Sequence, residues 1–229
     1  MVGGKKYKGK VGLVDRTKVY SPAEALELVK KTATSKFDET IELAMKLGVD
    51  PKKNTVRGTV SLPSGSGKTK KVAVICKPDK VKEAQEAGAD VVGSEDLVEK
   101  ISKGFLDFDI VIATPDMMGV VGKLGKTLGT KGMMPNPKSG TVSPDIAKTV
   151  KEFKGGKVEF KMDKTGALHS ILGKASFEAK ALEKNFSATV AAILHQKPSG
   201  LKGNFVESIT ISSTMGPGVK IDPKIAAEK

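Results

Sequence analysis

Apolar and polar positions alternate strictly in several stretches of this chain. From residue 40 to 47, Ile41, Leu43, Met45 and Leu47 fall on one parity and Thr40, Glu42 and Lys46 on the other, which predicts a half-buried strand. Past the turn-like Asp50-Pro51-Lys52-Lys53-Asn54, the run Val56, Gly58, Val60 and Leu62 predicts a second strand, antiparallel to the first and beside it. The same rhythm returns late in the chain. Val158, Phe160 and Met162 lead through Asp163-Lys164-Thr165-Gly166 into Leu168-His169-Ser170-Ile171, a hairpin pattern, and Phe205, Ile209 and Ile211 make a last alternating strand.

Between residues 68 and 156 the pattern differs. Short continuous apolar runs, 72–76, 91–92 and 108–113, suit strands covered on both faces. Helical stretches fall between and after them, near 79–87, 96–102 and 116–128, each closed by a glycine. A further helix, 144–154, is expected with Ser143 as cap and Pro144 at its first position. Outside this block, Ser21-Pro22-Ala23-Glu24 is a capping box opening a helix, and residues 177–194 carry Ala181, Leu182, Phe186, Val190 and Ile193 at helical spacing. Half-buried sheet, covered sheet and half-buried sheet in that order predict a βαβ-type domain, residues 68–156, inserted into an outer α+β domain made by both chain ends, residues 1–67 and 157–229. The crossings, with Gly65 and Gly67 on one side and Gly155 and Gly156 on the other, are expected to act as a hinge.

Charge then narrows the function. The 39 Lys and Arg against 26 acids give +13, and a polyanion is the first partner to consider. The outer segments hold 24 cations and 14 anions, the middle block 15 and 12, so the primary site for such a partner is expected in the outer domain. A secondary basic surface follows from residues 117–144, which contain no acid while Lys123, Lys126, Lys131 and Lys138 are strung among six glycines. Only Arg16 and Arg57 are arginines, which favours phosphate neutralisation over bidentate reading of base edges. The tract 3–10, with Lys5, Lys6, Lys8 and Lys10 among glycines, reads as a flexible basic arm.

Other classes find little support. No stretch approaches the ~18 apolar residues of a membrane span, and the N-terminus lacks a signal-peptide core, so a cytoplasmic protein with no membrane partner is expected. The single cysteine, Cys76, sits in an apolar run as a small hydrophobe. Ser64-Gly65-Ser66-Gly67-Lys68-Thr69 resembles a phosphate-binding loop, but Leu62 stands where a Walker loop needs glycine and the segment runs into a strand rather than a helix. His169 and His195 are too few for a three-histidine metal site, and no cofactor or metal is expected. The rival readings are a general nucleic-acid-binding protein and a phosphate-handling enzyme.

Three outer-domain segments combine small hydroxyl residues, glycine and a cation or apolar plate, the mixture that suits backbone and 2′-hydroxyl recognition: Lys36-Phe37-Asp38-Glu39-Thr40, Asp163-Lys164-Thr165-Gly166, and the run from Ser208 through Ser213-Thr214-Met215-Gly216-Pro217. Each also has a plain structural reading: Phe37 as a core aromatic, Thr165-Gly166 as a hairpin turn, and Met215-Gly216-Pro217-Gly218 as an exit loop.

With Gly122-Lys123-Leu124-Gly125 and Leu128-Gly129-Thr130-Lys131-Gly132-Met133-Met134-Pro135-Asn136-Pro137, these segments resemble the bacterial ribosomal protein L-one family, stalk proteins of the large ribosomal subunit. The resemblance covers essentially the whole chain, though Ser64 stands where that family usually has histidine. It implies an outer α+β domain with a mainly antiparallel sheet and an inserted Rossmann-like three-layer domain. It implies no enzymatic activity and RNA contacts by Lys36, Phe37, Thr40, Lys164, Thr165, Ser208, Thr214, Met215 and Gly216, to which Asp163 and Gly166 of the turn are added. The implied partners are the stalk of large-subunit ribosomal RNA, E-site tRNA and the protein's own operon mRNA, with a monomer expected when free.

Overall fold

The computed structural model describes residues 4–51, 54–198, 201 and 203–226. The chain forms two compact units, Met1–Gly67 with Val158–Lys229, and Lys68–Lys157.

The first unit holds a six-stranded sheet of β1 (Thr40–Leu47), β2 (Arg57–Ser61), β6 (Lys157–Met162), β7 (Ala167–Lys174), β8 (Val206–Ser213) and β9 (Val219–Ile221). Its order is β2-β6-β7-β1-β8-β9. β1 is antiparallel to both its neighbours, with Ala44 facing His169 of β7 and Thr210 of β8. The expected adjacency of β1 and β2 is therefore corrected. Both edges of β1 are taken by strands from the far end of the chain, and β2 pairs at the sheet's margin. The intervening turn at Asp50-Pro51-Lys52-Lys53-Asn54 includes Lys52 and Lys53, which lie outside the described residues.

Alternation sends every second residue inward. Ile41, Leu43, Met45, Leu168, Leu172, Ile209 and Ile211 are buried beneath α2 (Pro22–Thr32) and α8 (Ala179–His195), which contribute Leu26, Val29, Leu182, Phe186, Val190 and Ile193. The capping box at Ser21 and Glu24 forms in both directions. Residues expected to be a flexible arm instead include α1 (Lys5–Val11). Lys8 and Lys10 in its last turn favour the helix carbonyl end, and Lys10 is itself buried. β9 escaped sequence reading because three residues behind Gly-Pro-Gly are too few to display a period.

The second unit is a parallel three-stranded sheet of β3 (Val72–Ile75), β4 (Val91–Gly93) and β5 (Ile110–Ala113), in the order β4-β3-β5. One face is covered by α4 (Glu95–Ser102), α5 (Met118–Val121) and α6 (Gly125–Thr130), through Leu97, Ile101, Val121 and Leu128. The other is covered by α3 (Val81–Glu86) and α7 (Ile146–Lys154), through Ala84, Ile146, Val150 and Phe153. The helix expected over 116–128 is broken: a 3₁₀ turn, Gly122–Leu124, separates α5 from α6 where glycines weaken helix propensity. The cap expected at Ser143 belongs to Asp145, whose carboxylate accepts from the Lys148 amide at 3.3 Å, and Pro144 lies before the helix.

Candidate nucleic-acid interface

The residues nominated in the first unit gather at the two ends of β1. At its start, Glu39 sits on the inward parity of the strand and is 1% exposed. One carboxylate oxygen accepts from the Ser35 amide and the other from the Met215 amide, both at 2.9 Å. The buried Lys10 ammonium stands 3.5 Å from the same carboxylate and 3.4 Å from the Met215 carbonyl. Burial pushes the Glu39 carboxyl up, but the Met215 and Ser35 amides help to outweigh it and hold it down at about 2, from an ordinary 4.5. One buried charge thus ties α1, the segment before β1 and the turn after β8 into a single edge.

Around this knot the side chains point outward. Phe37 is 55% exposed and Met215 57%, so the reading of Phe37 as a core aromatic is overturned. Thr40 and Thr214 strap the two segments together: the Thr214 hydroxyl accepts from the Thr40 amide at 3.0 Å and donates to its carbonyl at 3.2 Å. Lys174 reaches the Thr40 hydroxyl at 3.0 Å, and Asp38 receives the amide and hydroxyl of Ser176 at 3.1 and 2.8 Å. At Gly216 an added Cβ would meet the Ser213 hydroxyl at 2.4 Å and that of Thr32 at 3.3 Å, so the turn itself demands glycine. Lys36 is exposed beside Phe37.

The opposite end of β1 carries the second cluster. Asp163 accepts from the Thr165 amide at 2.8 Å, the Thr165 hydroxyl at 2.7 Å and the Ala167 amide at 2.8 Å. These bonds hold its carboxyl below the usual range, the Thr165 hydroxyl most of all. Gly166 takes φ +82°, its carbonyl accepting from the Leu47 amide, while the Lys46 ammonium binds the Thr165 carbonyl. Lys46 lies opposite Ser208, and Lys164 is exposed. Thr40 and Lys46 are six residue steps apart along β1, about 20 Å at strand rise.

The sheet face between the clusters turns away from the core. Residues directly opposite in antiparallel strands share a face. The register therefore sets Lys161, His169, Ala44, Thr210 and Lys220 in one row across five strands. Ser208 and Ser212 flank Thr210 on the same parity, and on β6 the acid Glu159 is paired with Arg57, at 2.6 Å. Sequence reasoning placed Lys10 in a basic arm and Glu39 inside a nominated segment without giving either a role, and passed over Lys46 and Lys174. Only Glu39 left a signal, a carboxylate on a core parity that must find buried partners.

Lys123, Lys126, Lys131 and Lys138 are all exposed, on the second unit. Of the proposed hinge glycines, Gly65, Gly67 and Gly156 take φ of +73°, +71° and +106°. The first crossing is held to its own unit: the buried Asn185 amide binds the Ser64 amide, the Gly65 carbonyl and the Leu172 carbonyl at 3.0, 3.0 and 2.8 Å. Among the described residues no group of three or more His, Cys, Asp or Glu could hold a metal, and no helix is long and apolar enough to cross a membrane.

Residues 29–217 match the model of the ribosomal protein L1p/L10e family, a span that includes both end clusters. The large ribosomal subunit protein uL1 of Thermobifida fusca (strain YX) is 52% identical over 230 aligned residues, covering 100% of this chain and 98% of that protein. The chain belongs to the ribosomal protein L1p/L10e family. It is accordingly a ribosomal protein and not an enzyme. In this L1p/L10e member the match ends at Pro217, directly after Thr214, Met215 and Gly216, whereas Lys10, which braces them, lies before the matched span.

Proposed function

We propose that this protein is a structural constituent of the large ribosomal subunit, acting on cytoplasmic ribosomes, and that it holds the stalk of large-subunit ribosomal RNA with the outer face of its six-stranded sheet. Phe37 and Met215 pack against sugar or base at one end, and Lys164 with Ser208 engages backbone at the other. Lysines along the face neutralise phosphates while Ser and Thr hydroxyls bind 2′-hydroxyls between them. The outer domain, residues 1–67 and 157–229, carries this site. The Rossmann-like insertion, residues 68–156, moves about the glycine crossings and offers Lys123, Lys126, Lys131 and Lys138 as a second, less selective surface. By the same surfaces the protein assists release of E-site tRNA and represses translation of its own operon mRNA.

The observation that carries the reading is the pair of large apolar side chains, Phe37 and Met215, held more than half exposed on a charged, fully braced edge. A monomeric protein gains nothing for its own stability from such plates, and their natural use is contact with a partner. Met215→Asp is expected to weaken binding to stalk RNA by about 1–3 kcal/mol, the scale of a misplaced charge or lost contact. The melting temperature should not move. Unchanged affinity in a filter-binding titration would remove Met215 from the interface.

A further inference from the structure

In the second unit the chain runs from β3 to β4 on one side and then to β5 on the other, so the strand order reverses between β3 and β5. The loop leaving β3 enters α3 on one face of the sheet, and the loop leaving β5 leads to α5 on the opposite face. Loops that diverge in this way open a crevice at the carboxyl ends of the strands, the place where parallel α/β sheets receive small ligands. A cavity of about 320 Å³ lies there, lined by Lys77, Asp79, Lys80, Thr114, Asp116 and Pro144. That volume falls at the small end of ligand pockets, roughly 300–1,000 Å³. Thr114, 4% exposed, is part of the lining, and its hydroxyl, closed to solvent, has no hydrogen-bond partner among the described residues. A buried hydroxyl left without a partner costs free energy that a ligand restores.

The lining specifies the ligand. Lys77 is paired with Asp116 at 2.9 Å, and Lys80 donates to the Pro144 carbonyl at 2.6 Å. With Asp79 the wall carries two ammonium groups and two carboxylates. A bare anion meets the carboxylates and a bare cation meets the lysines, so the complement is one small molecule bearing both an anionic group and hydroxyl donors. A phosphate for the amines and a vicinal diol for the carboxylates meet that demand, as acidic side chains hold ribose hydroxyls in related sheets. We propose that this crevice binds a 5′-phosphorylated ribose with a free cis-diol, without reacting with it. Thr114 bonds the sugar, Asp79 and Asp116 take the diol, and Lys77 and Lys80 take the phosphate. A free ribonucleotide and the 3′ end of an RNA chain both present this chemistry. The site lies on the second unit, so its test is independent of the sheet-face reading.

The experiment titrates the full-length, ¹⁵N-labelled protein with adenosine 5′-monophosphate and follows the amides of Lys77, Lys80, Thr114 and Asp116. Saturating shifts at these amides are expected. Thr114→Val, which keeps the shape and removes the hydroxyl, should weaken binding about tenfold with the circular dichroism unchanged. The 2′-deoxy nucleotide should also bind more weakly. Competition by a short RNA with a free 3′ diol, but not by its 3′-phosphorylated twin, supports the proposal with an RNA end as the source. Failure of both RNAs to compete supports it with the free nucleotide as the source. The proposal is overturned if adenosine monophosphate gives no saturating shift, if inorganic phosphate binds as tightly, or if Thr114→Val binds like the parent.

Discussion

Glu39 concentrates the energetics of the edge proposed as the interface in one side chain. Its folded value of about 2 lies below its ordinary 4.5. The difference, at about 1.36 kcal/mol per pH unit, amounts to about 3 kcal/mol. Because the folded value is the lower one, this stabilisation is complete above pH 4.5 and is lost as the pH falls through about 2. Glu39→Gln is expected to lower stability at neutral pH by a few kcal/mol, since Lys10 then remains buried beside an uncharged amide. Denaturant titrations at several pH values should show the variant's deficit shrinking between pH 4.5 and 2. A deficit that is the same across this window would mean that the carboxylate is not the charge that ties the edge together. In the folded variant RNA affinity should also fall although Glu39 is buried, because the Met215 turn loses its anchor.

At the scale of elements, the proposed interface treats the two clusters at the ends of β1 as separate contact points on one strand. Sites beyond 7–10 Å with no shared partner add within about 0.5 kcal/mol. Lys164→Ala and Met215→Ala should each weaken stalk-RNA binding, and the double variant should lose the sum of the two. Strong non-additivity in the double variant would show instead that the clusters act as one site. The strands themselves were legible in the sequence because half-burial has a local period: β1, β6 and β7 lie close to where alternation puts them. Their pairing was not, since Glu42 meets Ile171 and Ser212, partners far along the chain about which a local pattern carries no information. Helix ends drifted where glycine or a competing cap decided, at Gly122 and Asp145. The segments proposed for recognition were visible as hydroxyl and glycine runs. Their division into two clusters, and the service of Lys10 and Lys174, depended on tertiary contacts.

For the whole molecule the central claim is a division of labour between units of unequal charge, with net +10 on residues 1–67 and 157–229 and +3 on 68–156. The larger unit has its own core between the sheet and α2 with α8, and Asn185 fastens Ser64 and Gly65 to it, so removing the insertion leaves both packing and the first crossing's anchor in place. The direct measurement joins residues 1–67 to 157–229 and compares this shortened chain, and residues 68–156 alone, with the full protein against stalk RNA and a scrambled duplex across a salt series. The shortened chain should fold and retain most of the preference for stalk RNA. Residues 68–156 should bind both RNAs weakly and alike, with a salt dependence typical of phosphate neutralisation. If residues 68–156 alone carry the preference, or if the shortened chain folds yet binds both RNAs equally, recognition does not reside on the outer sheet face.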